Sequence, residues 1–273
     1  MSNLMQQLNE TVNYIKSKVN AQATTAIVLG SGLGNLASVI KTDVAIPYTD
    51  IPHFPVSTVK GHGGKLIFGE LGGTKVIVMS GRFHFYEGYS AQQVVYPVRV
   101  MKMLGVENLL LSNAAGAVNP NYKVGDLMLI NDHISFFTTN PLIGRNEEEL
   151  GTRFPDMSEP YNKAILQKAK SIATANNILV HEGVYTAVTG PTFETHAEYR
   201  LIKISGSDVV GMSTVQENIA AVHCGMKVFA VSVVTDLGIR EENNVITHEE
   251  VLQAAKEAEP KLTLLFTELV KVL

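Results

Sequence analysis

Arg82, His84 and Tyr86 alternate with Phe83 and Phe85 directly after an apolar run that ends at Ser80. In extended backbone, side chains two apart share a face, so the cation, imidazole and phenol would stand on one side and both phenyl rings on the other. An arginine fork beside an imidazole suits phosphate or carboxylate. A half-exposed strand with a polar outer face would show the same pattern. A second anion-friendly element is the run Ala26-Ile27-Val28-Leu29-Gly30-Ser31-Gly32-Leu33-Gly34, which predicts a strand, a glycine-rich turn and a short helical stretch. Such a turn offers bare amides and the Ser31 hydroxyl to an oxyanion, although glycine also serves tight turns with no ligand. Its third glycine comes one position too early for a dinucleotide fingerprint, and Asp50, the acid at the right distance, lies in the irregular stretch 47–55. The chain has no G-x-x-x-x-G-K-[ST] phosphate loop either.

Four further segments place small or polar residues where apolar runs end. Asn113-Ala114-Ala115-Gly116 would let a ligand approach the backbone, and in open α/β sheets ligands gather at the carboxyl ends of strands. In Thr189-Gly190-Pro191-Thr192-Phe193-Glu194-Thr195, the ring of Phe193 could lie against a flat heterocycle while Glu194 accepts from ring N–H groups. Glu194 could equally just complement a helix dipole. Val210-Gly211-Met212-Ser213 puts a serine at a helix start, and Val233-Val234-Thr235-Asp236 offers a hydroxyl and a carboxyl at a turn. The eight histidines are scattered, with no H-E-x-x-H or C-x-x-C spacing, so no metal is expected. With no G-x-S-x-G elbow, Ser31 and Ser213 read as binders and not as nucleophiles.

Short β-branched runs alternate with helix-period stretches, which predicts helices packed on a largely parallel or mixed sheet. The expected strands are 25–29, 65–68, 75–80, 108–112, 127–131, 184–188, 208–211 and 227–234. The expected helices are 4–19, 91–104, 161–176, 195–204, 214–223 and 248–272. Capping boxes are read at Ser90/Gln93, Thr195/Glu198, Ser213/Gln216 and Thr247/Glu250. Residues 136–157 form a long, weakly periodic, charged segment expected to be a functional or interface loop.

With 273 residues, 45% of them hydrophobic, the chain can bury a substantial core, and it is expected to fold as a single domain over 1–273. A net charge of −4 without a Lys/Arg cluster argues against nucleic-acid binding, so an anion must be held locally. The lone Cys224 cannot form an internal disulfide, and the first residues carry no basic patch followed by an apolar stretch, which points to the cytoplasm. Residues 209–234, the most apolar region, are interrupted by Gln216, Glu217, His223 and Lys227, so no membrane span is expected.

Taken in order, these segments resemble the trimeric, low-molecular-mass purine nucleoside phosphorylases over nearly the whole chain. The resemblance is carried by 30–34, Ser57-Thr58-Val59-Lys60-Gly61-His62, Gly81 through Tyr89, Asn113 through Gly116, Arg153-Phe154-Pro155, Gly190 through Thr195, and Gly211-Met212-Ser213-Thr214-Val215. It implies a three-layer α/β/α fold with a central mixed sheet, and phosphorolysis of purine (deoxy)ribonucleosides to free base and (deoxy)ribose 1-phosphate with inversion, in purine salvage. It implies no cofactor beyond phosphate as co-substrate, no metal, and a homotrimer with 136–157 at its interface. Residue by residue, Ser31, Arg82, His84, the Ala114 amide and Ser213 would bind phosphate, with His62 near its entrance. Tyr86, Met212 and His248 would contact the sugar, and Phe154 would cover it from a neighbouring subunit. Phe193, Glu194, Val210, Thr235 and Asp236 would hold the base, with His84, Glu194 and Asp236 the residues closest to the chemistry.

One position departs from the family pattern. Most members specific for 6-oxopurines have Asn where Asp236 stands, so inosine and guanosine, which Glu194 favours, compete with 6-aminopurine or broad specificity. A nucleosidase using water on the same architecture is a rival, disfavoured because water needs no anion set. A non-catalytic nucleoside-binding module would need no phosphate cage, and a dehydrogenase fails on glycine spacing.

Overall fold

The computed structural model describes residues 2–20, 22–58, 63–239 and 246–273. In chain order its elements are α1 (Asn3–Lys18), β1 (Thr25–Val28), β2 (Lys41–Pro47), β3 (Lys65–Leu71), β4 (Thr74–Ser80), α2 (Ala91–Val94), α3 (Tyr96–Met103), β5 (Asn108–Ala117), β6 (Leu127–Ile134), α4 (Lys163–Ala175), β7 (Val180–Ala187), α5 (His196–Ile204), β8 (Val209–Gly211), α6 (Val215–His223), β9 (Lys227–Leu237) and α7 (His248–Val270). Residues Gly34–Val39, Tyr48–Asp50 and Phe85–Glu87 form short three-ten turns.

Helices cover both faces of one mixed sheet, the expected three-layer α/β/α arrangement. In β1, Ala26 and Val28 pack into a core shared with Leu8 and Ile15 of α1, Val98 of α3 and Ile219 of α6. Ile27, in the same strand, faces a second core with Ile165 of α4 and Leu262, Leu265 and Phe266 of α7. Burial on both faces explains why these strands read as continuous apolar runs and do not alternate. Among the described residues no helix is long and apolar enough to cross a membrane.

The strand order is β2-β3-β4-β1-β5-β8-β7-β6-β9, and β9 also pairs with β5, so the last five strands close into a ring. Strand β5 is common to the open sheet and the ring. On one edge it runs parallel to β9 from Asn108 to Ala117. On the other it pairs with β1 only as far as Leu111, and β8 takes over only at Gly116. Residues 112–115 therefore lie on an edge between two partner strands. A register shift opposite this gap, between Ala115 and Gly116, leaves Thr235 of β9 as the extra residue. Bulges of this kind re-aim side chains and end regular pairing.

Several local expectations shift. Strand β2 is absent from the sequence reading because it is an edge strand with little burial, so it lacks an apolar signature. The helix expected at 91–104 is broken at Val95 into α2 and α3. Pro97, in the first turn of α3, has no N–H for the Gln93 carbonyl, and its ring would clash there if the helix ran through. The glycine turn leads into a three-ten turn instead of an α-helix, with no side-chain cap. Extended backbone also gives way at Phe85, where the Phe85–Glu87 turn begins. Strands β5 and β7 are longer than expected, and residues 136–157 contain no helix or strand.

Candidate functional site

The gap along β5 opens into a cavity of about 340 Å³. Its walls include Ser31, Arg82, His84, Tyr86, Ala114, Phe193, Glu194, Val210, Met212, Ser213, Thr235, Asp236 and His248. Residues separated by more than two hundred positions thus meet because β1, β4, β5, β8 and β9 all end or deform around one opening. Gly30 brings the glycine turn close to β5: a Cβ there would lie 2.7 Å from the Ser112 carbonyl oxygen. The Gly30 amide is itself occupied, donating to Ser112 Oγ at 3.2 Å. Gly32, at φ 75°, has no room for a Cβ against Ala255 of α7.

Arg82 follows β4 and is fully buried. Its Nε donates to Glu217 Oε1 at 3.2 Å and its Nη2 lies 2.9 Å from Glu217 Oε2, a two-pronged ion pair. Nη1 donates to the Ser112 carbonyl and stands 3.5 Å from Ser213 Oγ. Because alternate residues of a strand direct their backbone groups to the same edge, the Ser112 contact also turns the Ala114 amide toward the gap. The Phe83 side chain runs the other way, into the core.

His84 is buried and backed by Glu87. Glu87 Oε1 accepts from the His84 amide at 2.7 Å and lies 3.2 Å from Nδ1, while Oε2 accepts from the Thr58 amide and hydroxyl at 2.7 and 2.6 Å. Burial raises the Glu87 carboxyl, but the hydrogen bonds from His84 and Thr58 outweigh it and hold it at about 2. Burial lowers the His84 imidazole below its usual value despite Glu87. A carboxylate on Nδ1 fixes the proton there, so the neutral ring keeps Nε2 as an acceptor. Tyr86 stacks on the imidazole with centroids 4.6 Å apart, and burial pushes its phenol up to about 12.

A second polar group lies across the ring strands. The Asp236 carboxylate lies over Gly116, where a Cβ would come within 2.6 Å of Oδ2, and Oδ1 accepts from Thr235 Oγ1 at 3.0 Å. Glu194 precedes the capped α5, whose Thr195/Glu198 box is present as expected. Its carboxyl is raised by burial, an effect partly offset by hydrogen bonds and reinforced by the negative charge of Asp236. Phe193 is 39% exposed beside it.

The cap of α6 lies one residue later than expected. Thr214, and not Ser213, is the N-cap, paired with Glu217 and not Gln216. The Thr214 amide donates to Glu217 Oε2 at 3.1 Å, its hydroxyl accepts from Asn113 Nδ2 at 2.9 Å, and its backbone sits at φ 71°. Ser213 is thereby left at the cavity wall, its amide donating to the Tyr185 hydroxyl at 3.3 Å. Gln216 instead reaches Thr138 Oγ1 and the Thr139 carbonyl. Glu217, Glu87 and Tyr185 were assigned no role from sequence. The Thr214-x-x-Glu217 spacing, with the need of a buried arginine for a carboxylate, was the available signal for Glu217.

One expected residue is not brought in. Phe154 is 84% exposed and borders a separate hollow with His133, Leu142 and Met157. His62 lies outside the described residues.

The model of the phosphorylase superfamily matches residues 24–271. Purine nucleoside phosphorylase 1 of Geobacillus stearothermophilus is 50% identical over 249 residues, 91% of each chain. A Schistosoma mansoni purine nucleoside phosphorylase solved with inosine superposes with a TM-score of 0.93 at 41% identity, covering 98% of this chain and 96% of that one. Isoform 2 from the same organism, solved with cytosine and ribose-1-phosphate, gives 0.93 at 44% identity with the same coverage.

Glu87 makes a pH prediction. A carboxyl held at about 2 in the fold, against an ordinary 4.5, stabilises the native state above pH 4.5, and that contribution fades as pH falls toward 2. Urea unfolding of wild type and Glu87→Gln should therefore show a stability difference that is largest near neutrality and shrinks between pH 4.5 and 2. A pH-independent difference would show that the charge of Glu87 contributes nothing.

Proposed function

The chain belongs to the phosphorylase superfamily and, within it, to the purine nucleoside phosphorylases, and from that premise we propose which residues serve each part of the reaction. The reaction is phosphorolysis of a purine nucleoside. A phosphate oxygen forms a bond to the anomeric carbon as the bond to the purine nitrogen breaks, and the electron pair of that bond leaves with the base. Positive character develops on the sugar and negative character on the purine, so the site must supply an anion beneath one and hydrogen bonds to the other.

We assign phosphate to Ser31, Arg82, His84, the Ala114 amide and Ser213, and a place near its entrance to His62. The observation that carries this assignment is the convergence, at one break in the sheet, of a buried guanidinium, a buried imidazole, two serines and an edge amide. With its proton held on Nδ1 by Glu87, neutral His84 accepts at Nε2 from a protonated phosphate oxygen. Tyr86, Met212 and His248 take the sugar, with His248 at the 5′-hydroxyl. Phe193 lies against the purine, Glu194 accepts from its ring N–H, and Val210, Thr235 and Asp236 complete the base site. Phe154, exposed and outside this cavity, suits a role across a subunit boundary, covering the sugar of a neighbouring protomer in a homotrimer. The scheme requires no metal and no organic cofactor.

The substrates we assign are inosine and guanosine, whose N1–H suits Glu194. Asp236 supports a second reading, in which 6-aminopurine nucleosides are also accepted, because a protonated carboxyl can donate to the leaving base. The negative charge of Asp236 adds to the burial that raises the Glu194 carboxyl.

Base release from inosine should depend on inorganic phosphate and yield ribose 1-phosphate. Arg82→Ala should lower kcat/KM for phosphate roughly 10²-fold or more, the scale of a lost charged transition-state contact. Release at the same rate without phosphate would make the protein a nucleosidase. Asp236→Asn should maintain or raise turnover of inosine and remove that of adenosine; a loss of inosine turnover near that of Arg82→Ala would instead make Asp236 an obligatory acid.

A further inference from the structure

The guanidinium assigned to phosphate does not face the cavity with its fork. Nε donates to Glu217, Nη2 is held 2.9 Å from the same carboxylate in an ion pair, and Nη1 is anchored on the Ser112 carbonyl. Only the Nη1 end reaches toward Ser213, a residue of the cavity wall. The orientation in which Arg82 meets an anion is therefore set by a carboxylate on another element, 135 residues away in sequence.

Glu217 is suited to more than charge compensation. Its Oε2 lies 2.9 Å from Arg82 Nη2 in the ion pair and accepts from the Thr214 amide, while Oε1 accepts from Arg82 Nε. The same carboxylate thus fixes the guanidinium and the first turn of α6, on which Ser213 rides. Ser213 Oγ lies 3.1 Å from Thr214 Oγ1, and Thr214 is in turn held by Asn113 of β5. Two donors from distant segments, Arg82 Nη1 and the Ser213 hydroxyl, are brought 3.5 Å apart through one side chain.

A purely structural role does not account for the pair. Arg82 and Glu217 are both almost wholly removed from solvent, with side-chain exposures of 1% and 5%. Ion pairs at such depth seldom add stability over apolar packing of the same volume, because desolvating two charges consumes most of their attraction. What such a pair does supply is a fixed geometry: a long arginine side chain loses its rotamer freedom before the ligand arrives.

We propose that Glu217 is a positioning residue for phosphate, acting through Arg82 and the Ser213 turn, and that it sets phosphate affinity without touching the nucleoside. The assignment rests on the phosphorolysis described above. It separates Glu217 from the residues facing sugar and base, and it gives the buried carboxylate a kinetic signature.

The test is steady-state kinetics of Glu217→Gln and Glu217→Asp with phosphate and inosine varied independently, repeated in the Arg82→Met background. Glu217→Gln keeps an acceptor for the Thr214 amide but places an N–H against the guanidinium. It should raise KM for phosphate at least about tenfold while KM for inosine changes little. Glu217→Asp, which retains the charge on a shorter arm, should recover part of the loss. In Arg82→Met, Glu217→Gln should have almost no further effect on phosphate kcat/KM, because the guanidinium it orients is gone while Gln still accepts from the Thr214 amide that anchors the Ser213 turn. Losses that add in the double variant, an equal rise in KM for inosine, or an unchanged KM for phosphate would each overturn the proposal. Should Glu217→Gln fail to fold, the Asp variant decides: a phosphate-selective rise in KM supports positioning, and unchanged kinetics refute it. Wild-type enzyme assayed alongside keeps the two readings apart, since phosphate-independent base release there would remove the phosphorolysis itself and not only the role of Glu217.

Discussion

Strand β5 has to serve more neighbours than its length allows. It holds β9 along one edge for its whole extent, and on the other it must leave β1 at Leu111 before it meets β8 at Gly116. Backbone groups between those points have lost one strand partner and not yet gained the next, and buried polar groups in that condition must be satisfied some other way. Arg82 meets part of the need by donating to the Ser112 carbonyl, and Gly30 comes close enough to use the Ser112 hydroxyl. A ligand that accepts hydrogen bonds fits the remainder. The cavity is thus a consequence of joining an open sheet to a closed ring through one strand.

Electrostatics follow the same economy. The two cationic or potentially cationic groups at the break each have their own carboxylate, Glu217 under Arg82 and Glu87 under His84. An arriving anion meets oriented N–H groups and not a large excess of positive charge. Preorganised dipoles of this kind favour charge that develops or transfers within the site and need little reorganisation when it does. In a chain with a net charge of −4 and no Lys/Arg cluster, the proposed phosphate site depends on donors placed locally. Elsewhere in the cavity wall the balance is reversed: burial, reinforced by the negative charge of Asp236, raises the Glu194 carboxyl.

Much of this was legible in the chain because its signals are local. Glycines at a turn, small residues at the end of an apolar run, and a hydroxyl three positions before a carboxylate or amide depend on backbone rules within a few residues. The structure brings Ser31, Arg82, His84, Glu194, Ser213 and Asp236 to one cavity accordingly. The misreadings have equally local causes. Ser213/Gln216 and Thr214/Glu217 both satisfy the capping spacing, and only the buried Arg82, far off in sequence, decides for the second pair. Strand β2 carries no apolar rhythm because it is an exposed edge, and the helical period over 91–104 runs straight through Pro97, where the helix is in fact interrupted. The break in β5 could not be read at all, since it exists only in the pairing of strands.

A crystal structure with inorganic phosphate bears most directly on the whole scheme. The anion should lie along the open edge of β5, within hydrogen-bonding distance of Arg82 Nη1, Ser213 Oγ and the Ala114 amide, with the guanidinium still seated on Glu217. Phosphate bound away from that edge, or Arg82 swung off Glu217 to meet it with its fork, would contradict the account.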